Sequence, residues 1–84
     1  MSLIFDRFPS RAHAAMLVAD IEGSFGLAGQ IFDDQDSAYE HDWFPYALDP
    51  PIVHIDRPRL DNAVAIEEAI AARVWFFGGE FPGT

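Results

Sequence analysis

The sequence contains no cysteine and no lysine among its 84 residues. Without cysteine, the chain can form neither a disulfide framework nor a thiolate zinc site, and it has no cysteine nucleophile. No apolar run approaches the roughly 20 residues that a membrane-spanning helix requires. The first residues also lack the basic and then apolar order of a signal peptide. We therefore expect a soluble, cytoplasmic protein.

The size and composition predict one folded unit. A chain of 84 residues and 9.4 kDa fits a single domain covering residues 1–84. Half of its residues are hydrophobic and 14% are aromatic, which argues against intrinsic disorder even at a net charge of −9. A chain of this length buries roughly 60% of its surface on folding, which is sufficient for a small core.

The acidic charge is concentrated in the middle of the sequence. Residues 12–56 contain nine Asp or Glu and no Arg, while the rest of the chain carries five acids and five arginines. Such a field disfavours direct contact with nucleic-acid phosphates, because that contact requires basic groups. It favours a partner protein with a basic surface. The alternative is an acidic surface that serves solubility alone.

Apolar periodicity and turn residues predict the first half of the fold. A strand over residues 3–8 ends at Pro9, and Ser10 is the expected N-cap of a helix. Apolar residues recur along this helix at three- and four-residue steps, as one buried face requires. Gly23 and Gly26 are expected to end the helix. A second strand is predicted over residues 27–32.

The second half of the sequence predicts a strand, a helix and one short strand. Residues 52–55 form the strand, and Asp61 or Asn62 caps the helix that follows. This helix is expected to end at Gly78 and Gly79, and residues 80–81 add a very short fourth strand. The element order predicts an α+β fold with two helices on one face of a small, mostly antiparallel sheet, in the ferredoxin-like βαββαβ order.

The connection over residues 33–51 is the unusual segment. It is far longer than the two to five residues that usually join neighbouring strands, and it contains six acids and four large aromatic residues. The aromatic residues either fold back over a sheet edge, or form an exposed anchor ringed by acids, as in protein-binding hot spots; disorder is a third alternative. The predicted partner-binding residues are Asp33, Asp34, Asp36, Tyr39, Glu40, Asp42, Trp43, Phe44 and Tyr46, and Asp20, Glu22 and Asp56 are expected to lie nearby.

The sequence offers little for catalysis. No serine lies in a glycine-serine-glycine elbow, and the glycines lack the spacing of a phosphate-binding loop. We therefore predict no catalytic residue, no cofactor, no metal site and no enzyme activity. The alternative is a small dimeric domain that binds a ligand or a metal through His41, His54 and Asp56, because imidazole and carboxylate groups suit zinc and similar ions.

These features together predict a non-enzymatic protein-interaction module. Its expected partner is a basic protein surface, with no direct binding to nucleic acid or membrane. The prediction extends to a nucleic-acid-binding protein that the module inhibits by taking the place of phosphates, by analogy with small acidic proteins of phages and mobile elements. A homodimer through the open sheet face is a second form of the same prediction.

Overall fold

The computed structural model describes residues 2–34, 36, 48–57 and 63–80 of the chain. In chain order, its elements are strand β1 (Ser2–Phe5), helix α1 (Arg11–Phe25), strand β2 (Gly29–Phe32), strand β3 (Ile52–Asp56) and helix α2 (Ala63–Phe76). Two helices and an antiparallel sheet confirm the predicted α+β class. Within the described ranges, neither helix is long and apolar enough to cross a membrane.

The three strands form a sheet in the order β1-β3-β2, and β3 runs antiparallel to both neighbours. On the outer edge of β1, Asp6 and Glu80 form an isolated antiparallel bridge. Their N–H groups donate to each other's carbonyls at 2.9 and 2.8 Å. This bridge lies where the ferredoxin-like order places a fourth strand, so the structure shows three strands of that order and one bridge of the fourth.

Helix α1 has the N-cap that the sequence predicts. Ser10 has extended backbone angles, and its Oγ accepts a hydrogen bond from the N–H of His13 at 3.3 Å. The helix ends at Gly26, which has a φ of 68° and donates its N–H to the carbonyl of Glu22. The predicted stop at Gly23 is wrong, because that glycine lies inside α1 and only Gly26 adopts the left-handed conformation.

Helix α2 also ends where the sequence predicts. Gly78 has a φ of 83°, and the N–H groups of Gly78 and Gly79 donate to the carbonyls of Trp75 and Val74. These bonds satisfy carbonyl groups that the last helical turn leaves without an intrahelical partner. The predicted capping residues Asp61 and Asn62 lie outside the described residues.

The core lies on both faces of the sheet. Both helices pack on one face, where ten buried residues form the larger cluster: Leu3, Phe5, Phe8, Ala14, Leu17, Ile21, Val53, Ile55, Ile70 and Val74. On the opposite face Ile4, Leu48 and Ile52 are buried, and Phe32 packs against them. Ile4 and Ile52 on this face are thus buried within one chain, and the homodimer expected through the sheet face stays a prediction.

The first strand is shorter than predicted. It ends at Phe5 and not at residue 8, because Arg7 adopts a φ of 61°, which an extended strand does not allow. The N–H of Arg7 donates to the carbonyl of Asp49 at 2.9 Å, on the side of the chain opposite the bridge at Asp6. Phe8 is nevertheless buried, so its contribution to the core is as the apolar pattern indicates.

Candidate functional site: the acidic end of the sheet

The strand directions gather acidic residues at one end of the sheet. Strands β1 and β2 finish where β3 begins, as the pairing of Phe32 with Ile52 and of Phe5 with Val53 shows. The acidic residues beside these strand ends are Asp6, Asp33, Asp34, Asp36 and Asp49, and Glu80 joins them through its bridge to Asp6. We call this group the acidic end. Sequence alone could not assemble it, because its members come from four separate segments of the chain.

The arginines near the acidic end are already paired. Nε of Arg7 lies 3.0 Å from Oδ2 of Asp49, and Nη1 of Arg7 lies 3.3 Å from Oε2 of Glu80. Arg11 at the start of α1 pairs with Asp33. Because these side chains are largely exposed, each pair adds little to stability. Two arginines therefore offset part of the charge of six acids, and a negative excess remains.

The other two arginines of the described residues are also engaged with acids. Nε of Arg57 lies 3.2 Å from Oε1 of Glu67, and Nε of Arg73 lies 2.7 Å from Oδ2 of Asp20. Each arginine that the structure describes is thus matched by a carboxylate of the same chain. The four described arginines therefore form no unpaired basic patch.

Three acids of the acidic end, Asp6, Asp49 and Glu80, are not among the predicted binding residues, and the buried one of the three is Asp6. Its side chain is 1% exposed, and its Oδ2 accepts a hydrogen bond from the N–H of Asp49 at 2.9 Å. Its Oδ1 is buried with no hydrogen-bond partner among the described residues. Burial raises the pKa of Asp6, an effect opposed by the hydrogen bond from Asp49 and by the charge of Arg7.

The alternation of side chains along β1 is the sequence pattern that could have identified Asp6 as a buried residue. Counting from Leu3 and Phe5, which face the helices, Asp6 falls on the same side of the chain as Ile4. The sheet face that carries Ile4 is buried as well, so the carboxylate of Asp6 is buried beside it. Buried ionisable groups occur often at functional sites, but structural networks contain them as well. Here Asp6 holds the segment before β3 against the end of β1.

Trp75 borders the acidic end and is exposed. Its side chain is 78% exposed in the last turn of α2, and it lines a cavity of about 280 Å³ with Gly78, Gly79 and Glu80. A Cβ at Gly79 would lie 2.5 Å from the ring of Phe8, so the backbone floor of this cavity packs tightly on the core. An aromatic face, a carboxylate and a helix C-terminus all favour a cation.

The structure places the predicted binding residues as follows. Asp33, Asp34 and Asp36 are exposed at the acidic end. Six further predicted residues lie outside the described part of the chain and remain predictions: Tyr39, Glu40, Asp42, Trp43, Phe44 and Tyr46.

Three acids expected nearby lie elsewhere. Asp20 pairs with Arg73 between the helices, and Oε1 of Glu22 accepts a hydrogen bond of 3.4 Å from the N–H of Gly29 at the start of β2. Asp56 lies opposite Ser2 at the far end of the sheet. Helix α1 begins near the acidic end and extends away from it. Its C-terminal half, with Asp20 and Glu22, therefore lies toward the opposite end of the sheet. These three acids therefore do not extend the acidic end.

The alternative metal site is only partly described. His54 lies in the middle of β3 between Ile4 and Gln30 on the neighbouring strands, and the ring of Phe32 meets it edge-on at 6.2 Å. Asp56 follows at the exposed end of the same strand. Over residues 2–34, 36, 48–57 and 63–80, no group of three or more His, Asp or Glu is arranged to hold a metal ion. His41 lies outside these ranges, so the complete set remains a prediction.

Comparison with known protein families, with curated proteins and with solved structures finds no match to this chain. The acidic end, the exposed Trp75 and the charge pattern are therefore the basis for its functional assignment.

Proposed function

We propose that this protein is a non-enzymatic interaction module that binds a basic protein surface through its acidic end. The observation that carries the proposal is the grouping of six acids at one end of the sheet with only two arginines described beside them. A concentrated negative potential increases the rate of encounter with a positively charged partner. It also disfavours acidic partners, which contributes specificity.

Trp75 supplies the apolar contact that charge alone does not provide. Exposed tryptophan is the side chain most typical of binding hot spots, where its burial slows dissociation. The cavity between Trp75 and Glu80 has the chemistry to receive an arginine or lysine side chain of the partner. The aromatic residues predicted at positions 39, 43, 44 and 46 are further contributors in this proposal.

The finer form of the proposal names a nucleic-acid-binding protein as the partner. Proteins that bind phosphates do so with clustered Lys and Arg, and such a surface is complementary to the exposed carboxylates of Asp33, Asp34 and Asp36. Binding there would exclude nucleic acid from the same surface. The module would then act as an inhibitor that takes the place of phosphates.

The test begins with affinity capture from the native host and continues with the purified partner. We expect its affinity to fall steeply between about 50 and 200 mM salt, and nucleic acid to compete for the same surface. The triple variant Asp33→Asn, Asp34→Asn, Asp36→Asn should lose about tenfold in affinity, which corresponds to roughly 1.4 kcal/mol.

A matched triple variant separates position from total charge. Glu22→Gln, Asp56→Asn and Glu68→Gln change the net charge by the same amount, but these exposed residues lie away from the acidic end. We expect this variant to bind as the wild type does. Equal losses in both triple variants, or no loss in either, would contradict a specific role for the acidic end. Retained binding with no competition by nucleic acid would overturn only the finer form.

A further inference from the structure

The outward side of the helix layer is apolar. Helices α1 and α2 contact each other and pack on the same sheet face, so their sides turned away from the sheet form one surface. We call this surface the helix-layer face. Its exposed residues are Ala12, Ala15, Met16 and Ala19 on α1, and Ala65, Ala72 and Phe76 on α2. The side chains of Met16 and Phe76 are 55% and 80% exposed.

A helix that faces water normally carries charged and polar residues on its outward side. Between Arg11 and Glu22 the charged residue of α1 is Asp20, which is about one third exposed and pairs with Arg73 of α2. On α2 the exposed acid is Glu68, which lies beside Ala65 and Ala72 on the helix surface and also lines a cavity with Leu3 and Phe5. The helix-layer face thus carries one ion pair and one further acid, which is little charge for a chain whose net charge is −9.

We propose that a second copy of this chain covers the helix-layer face in a two-fold symmetric dimer. Two chains of charge −9 repel each other wherever their acids approach, and the cost of contact is lowest at the surface with the fewest acids. A basic partner would be drawn to the acidic end instead. An anionic membrane surface would repel the chain as a whole. A second copy is thus the occupant that the charge distribution favours.

Side-chain size supports the same conclusion. Alanine at five of the seven positions lets two helix layers approach closely, while Met16 and Phe76 supply most of the apolar area. The ring of Phe76 also contacts the ring of its neighbour Phe77 edge-on, with the ring centroids 5.1 Å apart.

The area of the helix-layer face indicates how tightly the proposed dimer should associate. The helices have 15 and 14 residues, and at about 1.5 Å per residue and about 10 Å in width they present roughly 450 Å² in projection. This is little more than half of the area, about 800 Å², that specific interfaces commonly bury on each partner, and it corresponds to a weak, transient contact. We therefore expect a reversible dimer with a dissociation constant in the micromolar range.

Sedimentation equilibrium of the full chain at about 1–500 μM tests this expectation. The wild-type mass should rise with concentration from 9.4 kDa toward twice that value. Phe76→Glu should weaken the dimer at least tenfold, because it places an acid in the interface of each copy. Val64→Glu is the matched control: Val64 is 70% exposed on the same helix but lines the cavity with Leu3 and Phe5. Val64→Glu should leave the dissociation constant of the dimer unchanged when added salt screens the repulsion between the more negative chains.

Because the chain has no cysteine, single-cysteine variants locate the interface without background. Ala15→Cys and Ala72→Cys lie on the helix-layer face, while Gln30→Cys is exposed on β2, beside His54 on the opposite sheet face. At least one of the helix variants should form a disulfide-linked dimer faster than Gln30→Cys under mild oxidation. A monomeric wild type throughout the concentration range, equal effects of Phe76→Glu and Val64→Glu, or preferential linkage through Gln30→Cys would each overturn the proposal. The last result would identify the sheet face as the interface.

Discussion

The N–H of Asp49 donates a hydrogen bond of 2.9 Å to the buried carboxylate of Asp6, which lies 43 positions earlier in the chain. The bond fixes the segment that enters β3 against the end of β1, at the centre of the acidic end. Asp6 is ionisable and almost fully buried, and its ordinary pKa of 3.8 is raised by that burial. The burial of this carboxyl group therefore makes the stability of the fold depend on pH.

The sign of this dependence follows from proton linkage. An acid whose pKa is higher in the folded state binds protons more tightly there, so its protonation stabilises the fold. This contribution is complete below the unfolded pKa of about 3.8 and is lost as the pH rises through the raised pKa of Asp6. Asp6→Asn removes the titration but keeps a side-chain oxygen that can accept from Asp49. We expect the unfolding free energy of the wild type to increase relative to this variant as the pH falls from neutral toward 4.

Urea unfolding followed by circular dichroism at several pH values measures this difference. Asp56→Asn is the control, because Asp56 is exposed at the far end of the sheet. Its difference from the wild type should lack the increase expected for Asp6→Asn. The same pH trend in both variants would show that general charge, and not the burial of Asp6, causes it. Asp6→Ala should cost about 1–3 kcal/mol, since it leaves the N–H of Asp49 without its acceptor.

Local signals account for the parts of the fold that the sequence predicts. The cap at Ser10 and the glycines after both helices act within a few residues, so the sequence alone identifies them. Apolar spacing likewise identifies Leu17 and Ile21 on the buried side of α1. These features need no knowledge of the rest of the chain.

The remaining features depend on contacts between distant segments. The burial of Asp6 and the turn at Arg7 depend on Asp49, and the acidic end exists only after three strands are aligned. Apolar spacing along α2 places Trp75 on the side away from Ile70 and Val74, where it is exposed. Its position beside Glu80 depends on the bridge between Glu80 and Asp6, which the spacing does not predict.

Two glycines should respond in opposite ways to replacement by alanine. A Cβ at Gly79 would lie 2.5 Å from the ring of Phe8, which is itself buried, so Gly79→Ala should cost about 1–3 kcal/mol. A Cβ at Gly23 would meet nothing within 4 Å, and this glycine lies inside α1. Gly23→Ala should therefore stabilise the protein by about 0.5–1 kcal/mol. Thermal and urea unfolding measure both effects, and a loss of stability in Gly23→Ala would contradict the packing described for α1.

A double-mutant cycle can measure the contribution of the ion pair between Asp20 of α1 and Arg73 of α2. Arg73 and Asp20 are each about one third exposed and 2.7 Å apart, and the guanidinium of Arg73 lies 4.8 Å from the ring centroid of Phe25. We expect a coupling of about 0.5–1 kcal/mol between Asp20→Ala and Arg73→Ala, reduced in about 1 M salt. Arg73→Ala alone should cost more than Asp20→Ala, because it also removes the contact with Phe25. Equal single effects would indicate that this ring contact contributes nothing.

The cap of α1 provides the last comparison, between two serines at opposite ends of one helix. Oγ of Ser10 accepts the N–H of His13, one of the backbone donors that the first turn leaves without an intrahelical partner. Ser10→Ala should therefore lower the unfolding free energy by about 1 kcal/mol, while Ser10→Asn, which can cap as well, should retain most of it. Oγ of Ser24 donates to Oδ1 of Asp20 at 3.3 Å in an exposed side-chain contact, so Ser24→Ala should change stability by less than about 0.5 kcal/mol. Similar losses in Ser10→Ala and Ser24→Ala would mean that the bond from His13 does not stabilise the helix.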